Sequence, residues 1–435
     1  MYKYKTKLIA TLLASLASSQ VMASGFQLLE QNAAGIGNAY SGTAASAENA
    51  STVFYNPAGM TQLAGTNASA GITAIQPSFK FSNGASNGGS LVGDGGDGGR
   101  LGFVPNAYLS TAITKDLYLG LGINAPFGLK TDYDTPWIGG AQSLMFDIKT
   151  LNINPSIAYR ASETVSLGFG LDWQKLDAKY KRIAGTAVLF PGVIDLTKAT
   201  SLMDISSDAW GWNAGVLFNL SPMTKVGVSY RSAIKHKATG DITLSSDGSG
   251  LGASTVAALT PSKVGNVSAD VKLPDTWILS ATHKLDDRWE LLGDLARTGW
   301  SSIPKIDIVY TSGGSSGTIA QTLHTDFRDT WRIAAGANYR ISDALKLKFG
   351  LAYDQAPVKK ASTRLVSLPD NDRTWFSLGA QWQPAKGSTV DIGAAYLYIK
   401  DPVINADQTT TAQGLVNGTY KASAWLLGAQ YSIAF

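Results

Sequence analysis

The chain has 435 residues, 44% of them apolar, 10% aromatic and 16% charged, with 46 glycines and no cysteine. Without cysteine there is no disulfide scaffold and no thiolate metal site, and the apolar content excludes a disordered polymer. The charged fraction lies below the roughly 25% of soluble domains, which argues against an ordinary cytosolic enzyme. The net charge of +4 owes three units to Lys3, Lys5 and Lys7; without them 33 basic residues face 32 acidic ones. A chain so balanced, with no basic stripe, is expected to have no nucleic-acid partner.

Residues 1–23 read as a secretory signal peptide. Lys3, Lys5 and Lys7 form a positive start, Leu8 to Ala17 a short apolar run, and Val21-Met22-Ala23 a cleavage site. The mature chain is expected to begin at Ser24, exported from a bacterial cell. No later segment offers the roughly 18 consecutive apolar residues of a membrane helix.

Residues 24–66 do not alternate and carry neither Lys nor Arg. Phe26, Leu28, Leu29, Ile36, Tyr40, Val53, Phe54, Tyr55 and Met60 give this segment enough apolar surface to be compact. From 67 to 435 the pattern has period two. Leu151, Ile153, Pro155, Ile157 and Tyr159 form one row, and Val165, Leu167, Phe169, Leu171 and Trp173 another. Trp210 to Phe218 and Leu345 to Tyr353 continue it, each row being one face of a strand. These strands are longer than the ~5–6 residues usual in globular proteins. Trp277, Trp289, Trp331, Tyr339, Trp382 and Tyr398 sit at strand ends, where interfacial girdles belong.

Short turns near 114–116, 161–164, 221–224, 285–288, 341–344 and 384–388 alternate with seven long segments. The long segments lie near 82–101, 128–146, 182–208, 241–265, 300–324, 357–371 and 401–419. Six turns between seven hairpins give 14 antiparallel strands, an all-β transmembrane barrel of the outer-membrane kind. Closure is obligatory, because an open edge in hydrocarbon leaves backbone groups unpaired. The final strand ends on Phe435, which resembles the signal read by the barrel assembly machinery. A barrel of this size is wider than the 8-strand kind that side chains can fill. The segment 24–66 is therefore expected to plug the lumen as a hatch.

Strand three, Leu117 to Phe127, is expected to kink near Asn124-Ala125-Pro126-Phe127-Gly128. Proline removes a ladder donor and glycine weakens the strand, which a barrel tolerates only at a bulge or gap. Val188, Leu189, Phe190, Val193, Ile194 and Leu196 in one long loop, with Leu251, Val256 and Leu259 in the next, are candidates for an exposed apolar capture surface.

Gly25-Phe26-Gln27-Leu28, Gly35-Ile36-Gly37-Asn38-Ala39-Tyr40-Ser41-Gly42 and Asn56-Pro57-Ala58 resemble the hatch of the FadL-type long-chain fatty acid transporters (FadL/TodX/OmpP1-like). Trp210 to Gly215, Val228 to Ser232, Leu273-Pro274-Asp275, Trp331 to Ala334 and Leu368 to Arg373 extend the resemblance along the mature chain. It implies a 14-stranded barrel with an N-terminal hatch, in the outer membrane of a Gram-negative bacterium, behaving as a monomer. It also implies passive uptake of long-chain fatty acids, adsorbed outside, held at a tighter inner site and released sideways through the kinked third strand. By motif position Arg182 and Arg328 would meet the carboxylate, and Phe26, Phe127, Leu189 and Phe190 the acyl tail. Asn56, Pro57, Ala58, Asn124, Pro126 and Gly128 would form the gate, with Asn56-Pro57-Ala58 near the kink.

The energetics suit such a cargo. Burying each CH₂ is worth ~0.8 kcal/mol, so tail burial drives capture past the polar lipopolysaccharide. A carboxylate inside protein needs a cation, and guanidinium can hold both its oxygens. No cofactor, catalytic group or metal is expected. Neutral hydrocarbons or monoaromatics remain the alternative cargo. An outer-membrane lipid hydrolase and an open polar porin are the more distant readings. Gly93 to Gly98 matches a dinucleotide fingerprint and Gly313 to Gly317 a hydrolase elbow, but neither sits in a strand–helix context that would make it work. His236, His283 and His324 show no metal spacing.

Overall fold

The computed structural model describes residues 25–435; the expected signal peptide and Ser24 lie outside the described residues. Fourteen antiparallel strands close into a barrel. They are β1 (Thr66–Asn83), β2 (Gly102–Ala112), β3 (Leu117–Asn124, resumed as Gly128–Asp132), β4 (Met145–Arg160) and β5 (Val165–Ile183). Next come β6 (Ala199–Asn219), β7 (Thr224–Arg231, resumed as Ile234–Ser246), β8 (Gly265–Leu273, resumed as Thr276–Lys284) and β9 (Trp289–Thr298, resumed as Lys305–Tyr310). The ring continues with β10 (Ile319–His324, resumed as Thr330–Ser342), β11 (Leu345–Asp354), β12 (Arg373–Ala385), β13 (Ser388–Ile399, resumed as Val403–Gln408) and β14 (Gly414–Ala434). The last strand pairs with the first from Asn67↔Ala434 to Asn83↔Gly418, which leaves no open edge.

The alternation read in the sequence is the alternation between bilayer and lumen. Leu167, Phe169, Leu171, Trp210, Trp212, Trp277, Trp331, Trp382 and Trp425 are exposed on the outside, while Ser166, Asp172, Gln174 and Asn213 are buried inside. This is the outward apolar, inward polar pattern of an outer-membrane barrel. Trp289 and Tyr339 pair on neighbouring strands with ring centroids 4.6 Å apart.

Residues 25–65 lie inside the ring. Their helical pieces are single turns: Ile36–Asn38, Thr43–Ser46, Thr52–Tyr55 and Pro57–Gln62. Lumen-facing glycines let this segment touch the wall. A Cβ on Gly350 would fall 2.1 Å from the backbone of Asn38, and one on Gly168 would fall 2.2 Å from the backbone nitrogen of Ala58. Lys348 of β11 anchors the segment from the opposite side to Gly168: its Nζ donates to the Ala34 carbonyl at 3.1 Å and pairs with Glu48 at 2.8 Å and Asp391 at 3.0 Å.

Two long segments hold more structure than the sequence reading expects. The connection between β7 and β8 carries a helix, Gly250–Lys263, capped by Ser249, whose Oγ accepts the Gly252 N–H at 2.9 Å. The segment 300–324 contributes the extensions of β9 and β10, which pair with each other above the membrane-facing wall.

Candidate functional site

The third strand breaks where the sequence places the kink. Its pairing with β4 runs to Asn124↔Asn152 and resumes at Gly128↔Lys149, so residues 125–127 oppose only Thr150 and Leu151. That is a bulge of one residue. On the other side the ladder with β2 stops at Ala107↔Ile123. Gly102 to Asn106 pair with β1 alone, leaving a gap in the β2–β3 ladder that ends where Gly99 bridges Thr131.

Buried backbone groups at such a break must find other partners. The start of the N-terminal segment supplies them. Leu28 N–H donates to the Pro126 carbonyl at 2.8 Å, Gly128 N–H donates to the Phe26 carbonyl at 2.8 Å, and Gln27 bridges Phe127. Gln31 completes the patch: its Nε2 donates to the Ala125 carbonyl at 2.9 Å and its Oε1 accepts the Ala125 N–H at 3.1 Å. Phe26 and Phe127 pack with Trp300, the Phe26 and Trp300 centroids lying 4.8 Å apart, and Phe327 closes on Trp300 at 5.9 Å.

Asn56-Pro57-Ala58 lies elsewhere than expected. Asn56 Nδ2 donates to the Ala44 carbonyl at 2.7 Å and the Val216 carbonyl at 3.1 Å, and its Oδ1 accepts the Ala58 N–H. The turn thus docks on β5 and β6, at Gly168 and Gly215. The residues that cover the kink are Phe26 to Leu28 and Gln31. Proline at the first turn and an Asn cap make 56–58 a rigid helix start, suited to bracing the wall.

At the loop end of the barrel is a cavity of about 780 Å³. Tyr180, Arg182, Leu189, Leu196, Met203, Ile242, Leu259, Ile308, Tyr310 and Gln321 line it, together with Lys263, His324, Arg364 and the carboxylate of Asp407. Arg182 sits at the top of β5. Its Nε donates to Gln321 Oε1 at 3.2 Å and its Nη1 to the carbonyls of Ile183 and Ala184. All three acceptors are neutral, so its charge is left uncancelled. Leu189 lines the cavity, whereas Phe190 sits at the tip of the small hairpin Val188–Phe190 with Ile194–Asp195, turned to the outside.

Arg328 is not brought to Arg182. It lies between the two pieces of β10, where its Nε donates to the Ala356 carbonyl at 3.0 Å and its Nη2 pairs with Asp372 at 3.3 Å. It does not line the cavity. The tertiary arrangement gave it a counter-charge that sequence spacing could not reveal.

One hydrophobic cluster runs from the cavity to the break. Tyr180, Met203, Ile242 and Tyr310 at the cavity belong to the same buried cluster as Phe26, Phe127, Leu129 and Trp300. The apolar packing is therefore continuous between the two places. Glu30 is fully buried, with neither carboxylate oxygen meeting another residue's donor. Burial pushes its carboxyl up to about 8, against the pull of Arg373 and Arg332. Gln31, Trp300 and Arg364 carry no motif that marks them in the sequence; their positions come from long-range packing.

Comparison with known proteins agrees with this architecture. Residues 14–435 match the family model described as outer membrane protein transport protein (OMPP1/FadL/TodX). The chain is 30% identical to the long-chain fatty acid transport protein of Escherichia coli K12, over 99% of this chain and 98% of that one. It is 32% identical to the 47 kDa outer membrane protein of Pasteurella multocida, over 100% and 99% of the two chains. Its fold superposes on a Pseudomonas aeruginosa FadL homologue with a TM-score of 0.85 at 22% identity, covering 95% of this chain and 100% of that one. It superposes on the Ralstonia pickettii toluene transporter TbuX with a TM-score of 0.66 at 17% identity, covering 93% and 99%. A closed 14-stranded barrel, a sequence match across nearly the whole chain and full-length relatives together make this an outer-membrane transport protein rather than an enzyme, a member of the OMPP1/FadL/TodX family.

Proposed function

We propose that the protein takes up long-chain fatty acids across the outer membrane by passive diffusion. The cargo enters the cavity at the loop end, its tail buried among Leu189, Leu196, Met203, Ile242 and Ile308 and its carboxylate held by Arg182. The tail then follows the apolar cluster to Phe26 and Phe127. It leaves sideways through the gap between β2 and β3 once Phe26 to Leu28 withdraw from the break. Lateral exit spares the acyl chain the polar lumen wall of Asn152, Asn154, Asp172 and Asn213, where it would displace hydrated groups without replacing their hydrogen bonds.

The observation that carries this reading is the uncancelled charge of Arg182 in a cavity whose lining combines apolar side chains with polar and basic ones. A half-buried cation without a counter-ion is costly, and a carboxylate cargo would supply one. The E. coli relative is named for long-chain fatty acid transport, which supports the same cargo. The toluene transporter sharing the fold keeps neutral hydrocarbons as the second reading. Uptake of oleate and of toluene by cells expressing Arg182→Ala separates the two. Oleate uptake should fall at least tenfold with toluene entry unchanged. Undiminished oleate uptake would overturn the acid reading.

A further inference from the structure

Arg364 belongs to the loop between β11 and β12 and lines the same cavity as Arg182. Its side chain is 5% exposed. Its Nε donates to the Asp370 carbonyl at 3.0 Å and its Nη1 to the Val403 carbonyl, so both fixed contacts are neutral. The nearby carboxylates are already committed. Asp370 receives Arg373 Nη2 at 2.5 Å and the Gly25 N–H at 2.8 Å. Asp372 pairs with Arg328 and accepts the Ala356 N–H at 2.9 Å and the Tyr353 hydroxyl at 2.9 Å. Asp407 is the one carboxylate lining the cavity, and it is spent on the backbone and hydroxyl of Thr409. Among the described residues neither Arg182 nor Arg364 takes part in an ion pair.

The cavity therefore holds two guanidinium groups in the same state. Each is pinned through Nε and Nη1 to neutral acceptors, leaving Nη2 and the positive charge to whatever enters. Pinning removes the rotamer entropy that a flexible side chain would lose on binding. Two fixed guanidinium groups in one cavity, Arg364 buried and Arg182 half-buried, neither in an ion pair, form a receptor for an anion.

We propose that Arg364 is the second cation that meets the cargo's carboxylate, in the role that sequence position had suggested for Arg328, and that it sets the preference for an acid over its neutral counterpart. This inference rests on the fatty-acid reading above. It adds a specificity-determining residue that no motif marked.

The test compares hexadecanoate with hexadecanol, which share a tail and differ in head-group charge. Binding of each to the purified, detergent-solubilised protein is measured for the unaltered chain, Arg364→Gln and Arg328→Gln. Arg364→Gln should weaken hexadecanoate at least tenfold and leave hexadecanol within twofold, while Arg328→Gln should change neither. Equal weakening of both ligands would show that Arg364 only holds its loop and would overturn the proposal. So would unchanged hexadecanoate binding. Arg364→Lys keeps the charge and should keep the preference for the acid even where affinity drops. If Arg364→Gln does not assemble, loss of that preference in Arg364→Lys overturns the proposal. If the unaltered chain binds hexadecanol as tightly as hexadecanoate, the fatty-acid reading itself fails, whatever Arg364 does.

Discussion

The side-chain amide of Gln31 reads the backbone of Ala125 from both sides, donating to its carbonyl at 2.9 Å and accepting its N–H at 3.1 Å. A hatch residue thus stands in for the missing partner strand at the one place where the third strand leaves the ladder. Leaving a buried backbone donor or acceptor unpaired costs about 1–3 kcal/mol each. Gln31→Leu should therefore loosen the seal without unfolding the barrel. Amide hydrogen exchange at Ala125, Leu28 and Gly128 should quicken at least tenfold, with the exchange of β14 unchanged. Unaltered exchange at those three amides would show that the seal does not depend on Gln31.

The one-residue bulge of 125–127 against Thr150 and Leu151 makes the gap testable by subtraction. Deleting Ala125 lets β3 pair continuously with β4 and approach β2. The barrel should still assemble, because its closure depends on β1 and β14. Fatty-acid uptake should fall to background while binding to the purified protein persists. Uptake at the unaltered rate would overturn the lateral route.

Glu30 makes the seating of the hatch depend on pH. Its carboxyl sits among Arg332, Arg373 and Asp354 with Tyr40 and Tyr55 nearby, and burial raises it from an ordinary 4.5 to about 8. The folded state therefore keeps a proton that the released state loses over that interval. Stability of the seated hatch should fall as pH rises from about 4.5 to about 8 and level off above it. Glu30→Gln should flatten that slope in thermal melts followed between pH 5 and 9. A slope that survives the substitution would assign the dependence to another group.

Lys348 is 2% exposed and holds two carboxylates, Glu48 from the hatch and Asp391 from the wall. Removing one partner of such a buried group leaves uncompensated charge, which costs about 3–5 kcal/mol. Lys348→Met should free the hatch on that side of the lumen. In planar bilayers the unaltered protein should pass little current and the variant should show frequent large openings. A variant as quiet as the parent would mean that the glycine contacts at Gly168 and Gly350 suffice to hold the hatch.

Much of the architecture was legible because it is local. The period-two rows of β4, β5 and β6, the short turns at one end and the break at Asn124 to Gly128 each follow from neighbouring residues. The helix Gly250–Lys263 was not legible, since its apolar residues follow no helical period and its start is marked by a single Ser249. Arg182 could be singled out by its place at the top of a strand. Arg328 could not be distinguished from Arg364, because what separates them is a direct ion pair, made by Arg328 with Asp372 from 44 positions away.

By itself the sequence determined the strand count, the bilayer-facing surface, the compact plug and the weak point of the third strand, because alternation, turn chemistry and proline act over a few residues. Only the tertiary structure decided which hatch residues close the break, where Asn56-Pro57-Ala58 docks and which arginines face the cavity. Those outcomes depend on which side chains meet across the lumen. Closing the ring brings together Gln31 with Ala125, Lys348 with Glu48, and Arg364 with Arg182, pairs whose spacing along the chain carries no periodic signal.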